Sequence, residues 1–175
     1  GGGGVRLLLG AGLGVRGPRV VDAEALNLLR EEKTLPSRGR DTIISPHPAE
    51  AARLVSLATT GVQSDRPDAL REMLARLGCA VILKGAGSLV DSDDLEPPSV
   101  CSDGNPGMAV GGMGDVLSGL LGALLAQRVP AARAARYAVL VHALAGDAAA
   151  AKGEVGMRAT DMFAVIRKYL NQQEG

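Results

Sequence analysis

The spacing of apolar and polar positions along this chain switches repeatedly between short runs and helical stripes. "VRLLL" at 5–9 and "RVVDA" at 19–23 are apolar runs flanked by Gly or Pro, the pattern of buried strands. A helix is expected from 23 into "ALNLLREE". "TIIS" at 42–45 reads as another strand. In "PHPAEAARLVSL" Pro48 suits a first helical turn, and Ala51, Leu54, Val55 and Ala58 share a face. "RPDALREMLARLG" repeats the design, with Pro67 early, Leu70, Met73, Leu74 and Leu77 on one side, and Gly78 as a C-terminal cap. "AVILKG" is the next strand, and "SLVDS" a short one paired beside it. "LEPPS" is a surface loop, because its prolines cannot sit in a central strand. Two long Ala/Leu-rich helices are predicted from Asp115 onward, the second from about 130 to about 151, and a last helix from about 160 to 170.

Strands alternating with helices in this order predict an α/β layer architecture with a mainly parallel central sheet. One connection does not fit. Only "GAGLGVRGP" separates the first two strands, whereas a parallel crossover needs ~10–12 residues or more. Either those strands are not parallel neighbours or a crossover element is missing. The four leading glycines, with no initiator Met, read as a cut or engineered end.

Composition narrows the function. The 175 residues carry zero formal net charge, with 46% hydrophobic and 22% charged residues, which predicts a single domain, 1–175, with a real core. Neutral charge and 2% aromatic residues give nucleic acid neither an electrostatic footprint nor stacking platforms. No run reaches the ~18 apolar residues of a membrane span, and the N-terminus lacks a basic n-region. Cys79, Cys101, His47 and His142 are scattered, suggesting neither disulfides nor a zinc cluster, and a reduced cytoplasmic setting is expected.

The candidate chemistry lies in loops. "GLGVRG" formally matches G-x-G-x-x-G, but no helix opens there and Asp22 comes too early for a ribose contact, so a dinucleotide fold is rejected. Gly12, Gly14 and Gly17 are either a plain turn or a close approach to a ligand. In "GGMGD", Gly111, Gly112, Met113 and Gly114 can turn backbone N–H groups inward, and the following helix adds its positive end. The Lys-Ser/Thr pair of a P-loop is absent, so this is an anion site built from backbone. Asp115 is then either a first-turn acid or a base for a hydroxyl attacking a bound phosphate. "KGAGS" (84–88) offers a cation, two glycines and a hydroxyl for phosphate or ribose, or is a solvated strand end. His47 either contacts substrate or caps a helix. His142, within "AVLVHALAG", reads as a satisfied helix histidine.

"VVDAEALNLL", "SPHPAEAARL", "LKGAGSLV", "GNPGMAVGGMGDVLSGLLGALL", "HALAGDAA" and "GMRATDMF" together resemble, in order and wording, the ADP-dependent NAD(P)H-hydrate dehydratases of the ribokinase-like superfamily. The resemblance runs nearly the length of the chain. It implies a three-layer ribokinase-like fold with its N-terminal part missing, including a helix between the "GxGLG" loop and the "VxDA" strand. It implies dehydration of the S epimer of hydrated NADH or NADPH, with ADP as phosphoryl donor, Mg2+ in attendance, and AMP and phosphate released. By the same match Asp115 is the base, and Lys84, Gly85, Ala86, Gly87, Ser88 and Gly114 line the nucleotide site. Gly12, Gly14 and His47 face the substrate beside Asp115, and the family tends to form homo-oligomers. Metal ligands stay unassigned. Met113 replaces a frequent threonine, as do Ser45 and Ser88, and Ala11 replaces a proline. The competing readings are a small-alcohol or vitamin-precursor kinase of the same superfamily, and an adenine-nucleotide-binding fragment without catalysis.

Overall fold

The computed structural model describes residues 17–23, 25–26, 41–92, 94 and 96–171. The strand expected at 5–9, and the helix after 23 apart from Ala25 and Leu26, lie outside the described residues, as does the short first connection.

Five strands form one sheet in the order β1 (Arg19–Val21), β2 (Thr42–Ile44), β3 (Ala80–Leu83), β4 (Ser88–Asp91) and β5 (Ser99–Cys101). The first three are parallel, with Val20 opposite Ile43 and Ile44 opposite Val81. The "SLVDS" strand pairs beside β3 as expected, and the pairing is antiparallel, Ile82 facing Val90. β5 continues antiparallel against β4.

Period-two alternation divides the core. Ile43, Ala80, Ile82 and Val90 face one side, packed under α4 (Met113–Ala126), α5 (Ala131–Ala150) and α6 (Phe163–Leu170). Ile44, Val81, Leu83 and Leu89 face the other, under α1 (Pro48–Leu54), α2 (Thr59–Ser64) and α3 (Arg66–Leu77). The three expected layers are thus present, and each fully buried Ile or Leu between them contributes about 1.5–3 kcal/mol.

The helix ends follow the punctuation in the sequence. Pro48 and Pro67 lie in the first turns of α1 and α3, and Gly78 ends α3 with φ 60° and its N–H on the Leu74 carbonyl at 2.8 Å. Two elements were not anticipated. α2 is the polar "TTGVQS" with Val62 alone buried, and β5 points Val100 outward at 67% exposure. α4 begins at Met113, two residues before the expected start. Because β1, β2 and β3 run parallel, the residues after them, Asp22, Ser45 to His47 and 84–87, emerge along one edge of the sheet. An open α/β sheet receives ligands at that edge.

Candidate functional site

A cavity of about 730 Å³ opens at this edge, within the range typical of small-molecule sites. Its walls are His47, the whole 84–88 loop, the 102–106 segment, Met108, the start of α4 at Met113 and Gly114, and His142 of α5. The structure therefore brings together "KGAGS", part of "GGMGD" and His47, which are remote in sequence.

Lys84 leaves β3 with its N–H on the Pro46 carbonyl at 2.9 Å, which ties the two strand ends together. Its ammonium reaches Asp22 at 3.0 Å, and Asp22 also accepts the Ser118 hydroxyl at 2.7 Å. Burial alone would raise the Asp22 carboxyl. The Ser118 hydroxyl, the Lys84 ammonium and the Ala23 amide more than offset it and hold the group below its ordinary 3.8. A Cβ placed on Gly114 would lie 3.6 Å from the Lys84 nitrogen and 3.8 Å from the Asp22 carboxylate. The ammonium thus sits at the positive end of α4, where a cation is disfavoured, and Asp22 compensates it. An anion entering the cavity would meet Lys84 and the helix end together.

The turn before α4 depends on Gly112, whose φ of 89° is left-handed and forbids most side chains. The first bond within the helix is the Val116 N–H to the Gly112 carbonyl at 3.0 Å, so the amides of Met113, Gly114 and Asp115 have no partner inside it. Those are the donors an anion would use. Gly111 is exposed, with nothing near the position of a Cβ.

Asp115 is exposed, and among the described residues its carboxylate has neither a hydrogen bond nor an ion pair. It lines a second, apolar cleft of about 490 Å³ between α4 and α6, with Gly112, Phe163 and Leu170. The first turn of α4 is therefore a wall shared by two hollows. Met113 and Gly114 face the larger, Gly112 and Asp115 the smaller. The structure does not bring Asp115 and His47 into one cavity.

His47 does cap a helix: its Nδ1 accepts the Ala49 N–H at 3.2 Å, its own N–H donates to Glu50 at 2.8 Å, and its Nε2 lies 3.1 Å from the other Glu50 oxygen. His47 also lines the cavity. His142 donates from Nε2 to the Met113 carbonyl at 3.0 Å. Burial, reinforced by the nearby Lys84 charge, holds it below 6.5 in the neutral form, although the Met113 carbonyl opposes this. Cys79 is core, its thiol pushed up to about 12 by burial. Gly12 and Gly14 lie outside the described residues.

Two contributors escaped the sequence reading. Asp22 stands 62 and 96 positions from Lys84 and Ser118; its place just after an apolar strand was the available signal. Asp147 accepts from the Gly104 N–H and the Asn105 side chain, both at 2.9 Å, and so pins the 104–108 wall to α5.

Comparison with known proteins gives a consistent picture. A family model described as NAD(P)H-hydrate dehydratase matches residues 6–168. A bifunctional NAD(P)H-hydrate repair enzyme from Coxiella burnetii is 45% identical over 155 residues, which are 88% of this chain and 31% of that protein. An ADP-dependent (S)-NAD(P)H-hydrate dehydratase from Neisseria meningitidis is 45% identical over 74% of this chain and 45% of its own. The crystal structure of an ADP/ATP-dependent NAD(P)H-hydrate dehydratase from Bacillus subtilis, grown with ATP and Mg2+, superposes with a TM-score of 0.78. That match is 25% identical and spans 87% of this chain and 54% of the other. The fold is the ribokinase-like one. The chain spans about a third to a half of the length of these curated relatives. No helix among the described residues is long and apolar enough to cross a membrane.

Proposed function

The chain belongs to the NAD(P)H-hydrate dehydratase family, and on that premise we propose that it carries out the ADP-dependent dehydration of (6S)-NAD(P)H-hydrate, returning NAD(P)H, AMP and phosphate. The observation that carries this reading is the meeting of the 84–88 loop with the first turn of α4 around one cavity. ADP lies there with its phosphates against Lys84 and the amides of Met113 and Gly114, and its nucleoside along 85–88. Asp115, unpaired and on the other face of the same turn, takes the proton of the ring hydroxyl. The hydroxyl oxygen attacks the terminal phosphorus of ADP and AMP leaves. Phosphate then leaves the new ester with the C–O electron pair, the neighbouring ring carbon gives up a proton to solvent, and the C–H electron pair restores the C=C bond.

An in-line transfer puts the attacking hydroxyl between Asp115 and the terminal phosphorus, so the hydrated ring has to approach the first turn of α4 within hydrogen-bond reach of Asp115. Magnesium brought in with the nucleotide would supply neutralisation of the charge developing on the phosphates and would need few protein ligands. Among the described residues no three His, Cys, Asp or Glu side chains gather into a protein-built metal site. His47 is assigned to the substrate side of the larger cavity.

The test is recovery of reduced-nicotinamide absorbance from hydrated NADH with ADP and Mg2+, comparing wild type with Asp115→Asn. Wild-type recovery that requires ADP, lost in the variant while calorimetric ADP binding is retained, supports the assignment. A stable phosphorylated product would instead make the chain a kinase, and ADP binding without recovery would make it a binding module.

A further inference from the structure

Beneath the 84–88 loop, on the side away from the cavity, sits a guanidinium that no sequence motif announced. Arg66, the first residue of α3, sends Nη2 to the carbonyl of Leu83 at 3.1 Å and to that of Gly87 at 2.9 Å. One nitrogen thus clamps the residue entering the loop and the residue closing it. The loop is wrapped on this group: a methyl at Gly85 would overlap Nη1 and lie 3.1 Å from Cζ. Gly85 and Gly87 have φ of 150° and 72°, the left-handed region that lets so tight a turn close. No carboxylate pairs with Arg66 among the described residues, although burial lowers its pKa. A half-buried cation answered by loop carbonyls alone is an expensive way to hold a turn, unless the turn's shape matters.

We propose that Arg66 is the positioning residue of the nucleotide loop: by drawing the Leu83 and Gly87 carbonyls inward, it fixes the face of 84–88 that meets ADP. The inference rests on the reading of this loop as the nucleotide site. Arg66 itself does not line the cavity, so its effect passes through the loop backbone. A lysine ammonium has donors enough for both carbonyls but sits on a shorter stem and lacks the flat group that packs beneath Gly85, so the guanidinium is expected to be required.

Two measurements on the full chain test this. Calorimetry with ADP compares wild type, Arg66→Lys and Arg66→Ala. Both variants are expected to weaken binding roughly tenfold or more, and methylguanidinium is expected to restore Arg66→Ala while leaving wild type unchanged. Hydrogen exchange on the ligand-free protein is expected to show faster amides at 84–88 in both variants, with α4 and α5 still protected. Full affinity in Arg66→Lys would overturn the geometric claim, leaving only a charge effect. Unchanged loop exchange in that variant would overturn it equally. If Arg66→Ala does not fold, the lysine variant decides. If wild type binds no ADP, the nucleotide reading fails, while the exchange measurement still judges the clamp.

Discussion

Replacing Gly114 by alanine separates what the first turn of α4 does for folding from what it does for binding. Gly114 has no left-handed φ, and an added Cβ would meet its neighbours at ordinary van der Waals distance, 3.6 Å from the Lys84 nitrogen and 3.8 Å from Asp22. In a helix alanine is favoured over glycine by up to about 1 kcal/mol. Gly114→Ala is therefore expected to fold and to be more stable by about 0.5–1 kcal/mol, a rise in Tm of roughly 2–4 °C at most. The same methyl projects between the ammonium and the first-turn amides, where the phosphate would have to touch both. Losing one charge-assisted hydrogen bond costs about 1.5–3 kcal/mol, which is roughly a 10- to 150-fold weaker ADP affinity.

Urea denaturation and ADP calorimetry on the same preparation give the two numbers. Their opposite signs are the substance of the prediction. Unchanged affinity would mean that no phosphate oxygen approaches Lys84 across Gly114. A parallel loss of stability and affinity would mean that the glycine serves packing, and the anion site would then have to be sought elsewhere along the cavity.

Asp22→Asn is expected to cost about 1–3 kcal/mol, because it leaves the Lys84 ammonium at a helix N-terminus without its counter-charge. The native carboxyl titrates below its ordinary 3.8, so its stabilisation is present above 3.8 and lost as pH falls through the lower folded value. The variant should therefore lose part of the acid limb of a stability–pH curve, and an identical limb would dismiss the pairing. Gly146→Ala places a methyl where the Met108 side chain lies, 2.8 Å from its Cε, and the flexible thioether must swing aside, so stability should change by less than about 1 kcal/mol because the helix gain of alanine offsets the move. It should also weaken ADP binding through the wall that Met108 forms; thermal melts and calorimetry check both effects.

What the sequence made legible was local. Pro48, Pro67 and Gly78 mark helix ends through backbone chemistry that belongs to those residues alone, and the central strands read as unbroken apolar runs because both faces of the sheet are buried. α2 was hidden because its single buried residue, Val62, sets no period, and β5 because its middle residue points to solvent. α4 begins before Asp115 because a left-handed glycine, not a capping side chain, opens it.

The site was legible only in pieces. "KGAGS" and "GGMGD" each advertise backbone donors, but nothing local says that Lys84 leans on Asp22, 62 positions earlier, or that Arg66 holds the turn beneath it from 17 and 21 positions away. Such links exist only once parallel strands bring their ends to one edge. The same topology sets Asp115 apart. The residue most conspicuous in sequence, next to the glycines, lines a different hollow from His47, beside which it was expected to face the substrate. For Asp115 to act as the base proposed above, the substrate hydroxyl has to reach it from the Gly112 side of the turn while the phosphate lies on the Gly114 side, which makes Asp115→Asn the variant that tests the whole arrangement.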